Sequence, residues 1–232
     1  MANHLYNTAT YRWEMQGNNL VSIGNNDNPI TFLEGSIVNG VFKDAQLKLA
    51  KPFNLLHDKE WALEWRMSGA TTSTFAKIFD ETGDEKGEGY HSISVRNGST
   101  SISFSTHNGS THVHYGVKLS EYGIDHLAEH LYRLENRVNA DGTNMVWLYV
   151  DGHEIAPMRT RFTASGDYGP SDALSGYDFS FVFMGVPLYT LGGLNITDIA
   201  VWEEVPTTSE PLDPTSMLQG WMVGRAVASQ RK

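Results

Sequence analysis

Residue character alternates with a period of two along most of this chain, and few folds accept that rhythm. In the segment VWLYVDGHEIAP, Val146, Leu148 and Val150 fall on one side of an extended strand, and Trp147 and Tyr149 on the other. The run stops at Asp151-Gly152, a pair that accepts positive φ, and restarts with His153-Glu154-Ile155. Strand, tight turn and returning strand make a β-hairpin. In WALEWRMSG, Trp61, Leu63, Trp65 and Met67 share a face, opposite Ala62, Glu64 and Arg66. STSISFST, DFSFVFMG and GGLNITDIAVWEE continue the pattern. Asn97-Gly98, Asn108-Gly109 and Asp141-Gly142 supply further tight turns. The alternation predicts an all-β fold, an antiparallel β-sandwich of two sheets with little helix.

One stretch tests that reading. EYGIDHLAEHLYRLENRV has helical propensity, yet in its second half Tyr132, Leu134 and Val138 oppose Arg133, Glu135 and Arg137. The spacing predicts a strand over 129–138 and at most a helical turn near 121–127. With no repeat or linker to divide it, the chain reads as one domain over 1–212. A tail over 213–232 follows, with a short helix burying Met217 and Trp221 against the sandwich.

Composition removes several functions. The formal net charge of −10 repels phosphate backbones, so nucleic acid is not expected as a partner. The chain has 0 cysteines, which excludes disulfides and thiolate metal sites. No run approaches the ~20 apolar residues of a membrane span, so no membrane partner is expected. MANHLYNTAT has neither a basic start nor an apolar run and does not read as a signal peptide. The expected setting is therefore cytoplasmic synthesis, with a place in a virion or outside the cell reached without a classical signal.

Four passages resemble the laminin-G-like branch of the concanavalin A-like lectin/glucanase superfamily. YRWEMQGNNLVSIG is similar to the opening strand and loop. GVFKDAQLKLAKPFNLLHDKEWALEWRMSG is similar to the strand, loop and aromatic-rich strand that follow. EHLYRLENRVNADGTNMVWLYVDGHEIAP resembles the central pair, and GGLNITDIAVWEEVPTTSEPL the closing strand. The resemblance implies a jelly roll of two antiparallel sheets, one of them concave. It also implies a structural Ca2+ held by Asp198 on the closing strand, with Glu34 beside Gly35 as its partner in an early loop. It does not imply one activity, because a fold hosts many.

Catalytic carboxylates in this superfamily lie at alternate positions of one strand, and no such set occurs here. DETGDEKGE has the acids without the alternation and reads as a solvated loop, while Glu60 and Glu64 lack a third acid. The lyase branch uses Arg, Gln-x-His and Tyr; Arg133, His112, His114 and Tyr115 offer the residue types, but the strand motifs do not match. No catalytic residue is assigned. His112 and His114 share a strand face, where they either line a ligand groove or form a solvent-facing pair. Trp147 and Tyr149 lie opposite the aliphatic face of their strand. There they either stack on sugar rings or pack beneath a loop or the tail, and Arg133 is a further candidate ligand residue.

The expected function is a non-catalytic module that binds polysaccharide or cell-surface glycan or mediates adhesion, with a bacteriophage virion or attachment protein as its setting. Other virion proteins and an oligomer are the further expected partners. The alternatives are a purely structural virion assembly protein and a polysaccharide-degrading hydrolase or lyase.

Overall fold

The computed structural model describes residues 8–24, 26–72, 75–81, 92–96, 101–107, 112–160 and 178–205. Their strands are β1 (Tyr11–Gln16), β2 (Asn19–Ser22), β3 (Ile30–Val38), β4 (Val41–Leu55), β5 (Ala62–Gly69), β6 (Phe75–Asp80), β7 (Ser92–Arg96) and β8 (Ser101–His107). Then follow β9 (His112–Lys118), β10 (His130–Val138), β11 (Asn144–Val150), β12 (His153–Pro157), β13 (Arg159–Thr160), β14 (Phe179–Met184) and β15 (Leu194–Trp202). They form a seven-stranded sheet in the order β12-β11-β10-β5-β15-β1-β2 and an eight-stranded sheet in the order β13-β9-β8-β7-β6-β14-β4-β3. The pairings between these strands are antiparallel.

The two sheets enclose one apolar core, as the alternation predicts. Trp61, Leu63, Trp65 and Met67 are fully buried, and so is Leu148, between the nearly buried Val146 and Val150. Cross-strand register stacks these residues. Leu134 of β10 lies between Leu63 of β5 and Leu148 of β11, and Tyr132 lies between Trp65 and Val150. The Trp65 and Tyr132 rings stack with centroids 5.8 Å apart. The eight-stranded sheet answers with Phe53, Phe79 and Phe181; the Phe53 and Phe79 rings meet edge to face at 5.0 Å. Each such side chain removed from water stabilises the fold by roughly 1.5–3 kcal/mol.

The strand expected over 129–138 is β10. The helical turn expected near 121–127 is shorter and earlier, a 3-10 turn at Leu119–Tyr122. Gly123, in the left-handed region at φ 68°, ends it. Among the described residues no helix is long and apolar enough to cross a membrane. The expected tail over 213–232 and the turns at Asn97-Gly98 and Asn108-Gly109 lie outside the described residues.

Register shifts alter the alternation in several strands, β6 and β15 among them. In β6 the register shifts between Lys77 and Phe79. Ile78 and Phe79 both join the core, which sends Lys77 and Asp80 to the other face. There Lys77 Nζ meets Asp80 Oδ2 at 2.5 Å, with both side chains buried. In β15 the register shifts between Thr197 and Ala200, and Asp198 adopts φ 51°.

Candidate functional site

The alternation that places Val146, Leu148 and Val150 in the core leaves Trp147 and Tyr149 on the outer face of the seven-stranded sheet, where both are half-buried. The turn at 139–143, closed by Asn139 and Thr143, fixes the β10–β11 register. Tyr149 then stands beside Arg133, Trp147 beside Glu135, and Met145 beside Arg137. On the other side of β10, Arg133 stands beside Glu64 of β5, and Glu64 beside Ala200 of β15.

This register builds a ladder of alternating charge across the outer face. Arg137 Nη2 donates to Glu154 Oε2 at 2.7 Å and also contacts the Tyr149 hydroxyl. Glu135 bridges two guanidiniums, at 3.5 Å to Arg137 Nε and 3.2 Å to Arg133 Nε. Arg133 Nη1 reaches Glu64 at 3.6 Å. Arg66 lies between Glu129 at 3.4 Å and Asp198 at 3.6 Å. Arg12 pairs with Glu14 at 2.7 Å.

Aromatic rings line the same ladder. The Arg137 guanidinium lies over Trp147 and Tyr149, and that of Arg133 lies 5.1 Å from the Trp202 ring centre. A guanidinium stacked on an aromatic face keeps one planar, weakly hydrated side turned outward. Arg137, Trp147 and Tyr149 therefore make one composite platform of guanidinium and aromatic rings. Glu135 and Glu154 stand at its edge as hydrogen-bond acceptors.

The ladder is unevenly covered. At the β15 end, Trp202 packs with Ala62, Ala200, Ala9 and Val205, and its indole N–H donates to Thr8 Oγ1 at 3.1 Å. Arg133 is 9% exposed and Glu64 2%, so neither reaches solvent freely. Burial pushes the Glu64 carboxyl above its ordinary value, against the pull of Arg133 and Arg66. Burial also raises Asp198; Arg66 opposes the shift, and Glu14 adds to it. The accessible part of the face is the β10–β11–β12 side, with Glu154 47% exposed and Arg137 38%.

The structure thus gathers three residues singled out in the sequence, Trp147, Tyr149 and Arg133, onto one face. Arg133 acts there from below, holding Glu135 and Glu64. His112 and His114 belong to β9 of the other sheet, and their side chains lie outside the described residues.

Asp198 belongs to β15 of the seven-stranded sheet, and Glu34 and Gly35 to β3 of the eight-stranded sheet. Asp198 faces Arg66 on the seven-stranded sheet, whereas Glu34 accepts from Gln46 Nε2 at 2.9 Å on the eight-stranded sheet. Gly35, at φ 70°, serves a bulge in β3, where an added Cβ would sit 2.4 Å from the Lys43 carbonyl oxygen. Among the described residues no three His, Asp or Glu side chains gather as metal ligands.

Sequence reasoning passed over Arg137, Glu135, Glu154 and Trp202, and weighed Glu64 only as a catalytic acid. Part of the signal was present. Counting back from the Asp141-Gly142 turn sets Glu135 beside Trp147 and Arg137 beside Met145.

No family model and no curated protein matches this chain. Solved structures do match. One is the binding domain of botulinum neurotoxin serotype D, with a TM-score of 0.59 and 9% identity, covering 97% of this chain and 53% of that one. Another is the binding domain of Paraclostridial Mosquitocidal Protein 1, with a TM-score of 0.57 and 9% identity, covering 97% of this chain and 54% of that one. A third is the binding domain of botulinum neurotoxin DC in complex with rat synaptotagmin II, with a TM-score of 0.53 and 10% identity, covering 95% and 52%. What they share with this chain is the fold. The chain spans about half the length of these structures.

Proposed function

We propose that this chain is a non-catalytic binding module of the laminin-G-like kind that engages cell-surface glycan through the accessible side of its seven-stranded sheet. One observation supports this above others. Trp147, Tyr149 and Arg137 form a half-buried platform of rings and guanidinium beside two carboxylates, on a sheet face that the core does not use. Flat amphipathic surface stacks on the apolar face of a sugar ring, and carboxylates accept from its hydroxyls. The fold is also one that toxin binding domains use, one of them solved in complex with rat synaptotagmin II. A virion attachment protein is a setting in which such a module works without an enzyme of its own.

Binding of the purified chain to a panel of immobilised glycans tests the reading. Retention on at least one glycan, lost in Trp147→Ala with the melting temperature unchanged, supports it. Absence of any glycan binding, together with a stable oligomer in light scattering, turns the reading to a structural assembly role.

A further inference from the structure

We infer that the glycan taken by this face is uncharged, without carboxylate, sulfate or phosphate groups. The inference rests on the platform being the binding site, and it concerns the chemical class of the ligand.

Arginine on a sugar-binding face ordinarily invites an anion, because its planar fork matches carboxylate and sulfate. Here, among the described residues, each guanidinium of the face already meets a carboxyl group of the chain. Arg137 lies between Glu135 and Glu154, Arg133 between Glu64 and Glu135, and Arg66 between Glu129 and Asp198; Arg12 has Glu14. Among the described residues, four guanidiniums thus face six carboxyl groups. If Glu64 and Asp198, which burial pushes toward the neutral form, are set aside, the balance is four to four and still not positive. The chain as a whole has a formal net charge of −10 and offers no long-range attraction to an anion.

An anionic sugar at the platform would have to displace a carboxylate from Arg137 or settle beside Glu135 and Glu154. The first loses a 2.7 Å ion pair, and the second sets like charges together. A neutral sugar meets neither penalty. Its hydroxyls donate to the outward lone pairs of Glu154 and Glu135, and its ring stacks on the platform.

The test uses the full chain with matched probes. Dextran, laminarin and a galactose-terminated oligosaccharide are the neutral set. Alginate, chondroitin sulfate and the sialylated form of that oligosaccharide are the anionic set. The expected result is binding to a neutral probe at least about tenfold tighter than to the anionic set. That binding should change little as salt rises from about 50 to 500 mM, since no ion pair with the ligand is screened. Tighter, salt-sensitive binding to an anionic probe overturns the inference and leaves the platform standing. Absence of binding to every probe removes the binding reading itself. The double variant Glu135→Gln/Glu154→Gln, checked for folding by circular dichroism, should gain affinity for alginate by several-fold. No gain would mean that the carboxylates do not set the selection, and would overturn the inference.

Discussion

The Arg137 guanidinium carbon lies 4.6 Å from the centre of the Trp147 ring, and the same guanidinium reaches Glu154 at 2.7 Å. Exposed cation–π pairs contribute about 0.5–1 kcal/mol, and exposed ion pairs about 0.2–1 kcal/mol. Arg137→Ala is therefore expected to lower unfolding free energy by about 1 kcal/mol. A double-mutant cycle with Trp147→Ala in urea should give a coupling of about 0.5–1 kcal/mol. Lysine should restore less than half of it, because an ammonium cannot lie flat on the indole. A coupling indistinguishable from zero would separate the two side chains and dissolve the platform.

Glu64 supplies a pH dependence of definite sign. Burial holds its carboxyl above the ordinary value, 4.5, so the folded state binds this proton more tightly than the unfolded chain. The stability linked to it is full below the ordinary carboxylate range and is lost as pH rises through the folded value. Glu64→Gln is neutral at every pH and escapes that loss. Melting temperatures of the two proteins from about pH 4 to 7 should therefore shift progressively in favour of the glutamine variant. A difference that stays flat over that range would mean that Arg133 fully compensates the burial of the charge.

The strands were legible because their core faces are simple. Val146, Leu148 and Val150, or Trp61, Leu63, Trp65 and Met67, announce a buried side by alternation alone. The Asp141-Gly142 turn even sets the β10–β11 register, and with it the neighbours of Trp147. Two things stayed hidden, for physical reasons. Glu64 stands on the polar side of its strand and reads as exposed. It is flanked by Arg133 on β10 and Ala200 on β15, strands that lie beside β5 in space and far from it in sequence. Bulges are the second. Lys77 and Asp80 share a face only because Ile78 and Phe79 both turn inward, and no turn residue marks the place.

Asp151 does more than turn the chain. It adopts φ 51°, followed by Gly152 at φ 81°, the backbone of a tight primed hairpin. Its carboxylate also accepts from the Leu131 amide at 2.8 Å and meets His130 Nδ1 at 2.7 Å, tying the hairpin to the start of β10. Asp151→Ala loses both bonds and puts a less tolerant residue at positive φ, so it should destabilise by about 2–3 kcal/mol. Asp151→Asn keeps an amide oxygen for Leu131 and tolerates the left-handed region, and should lose about 1 kcal/mol or less. Denaturant midpoints for the two variants decide the matter. Equal losses would assign Asp151 to the turn alone.

The buried pair Lys77 and Asp80 makes an asymmetric prediction. Two charges have been taken out of water on a sheet face, and their 2.5 Å approach offsets that desolvation only while both are present. Asp80→Ala takes the carboxylate away from a buried ammonium that also lies 5.5 Å from the Tyr189 ring centre. The expected loss is about 3–5 kcal/mol. Replacing both together, Lys77→Met with Asp80→Leu, removes the buried charge as well, and its stability should lie within about 1–2 kcal/mol of the parent. Denaturant unfolding of the three proteins reads the outcome. Should the double replacement fall as far as the single one, the pair would be anchoring further polar groups of the eight-stranded sheet. Ser92 and Ser94, buried directly beside Asp80 and Lys77 in the register, are the first such groups to examine.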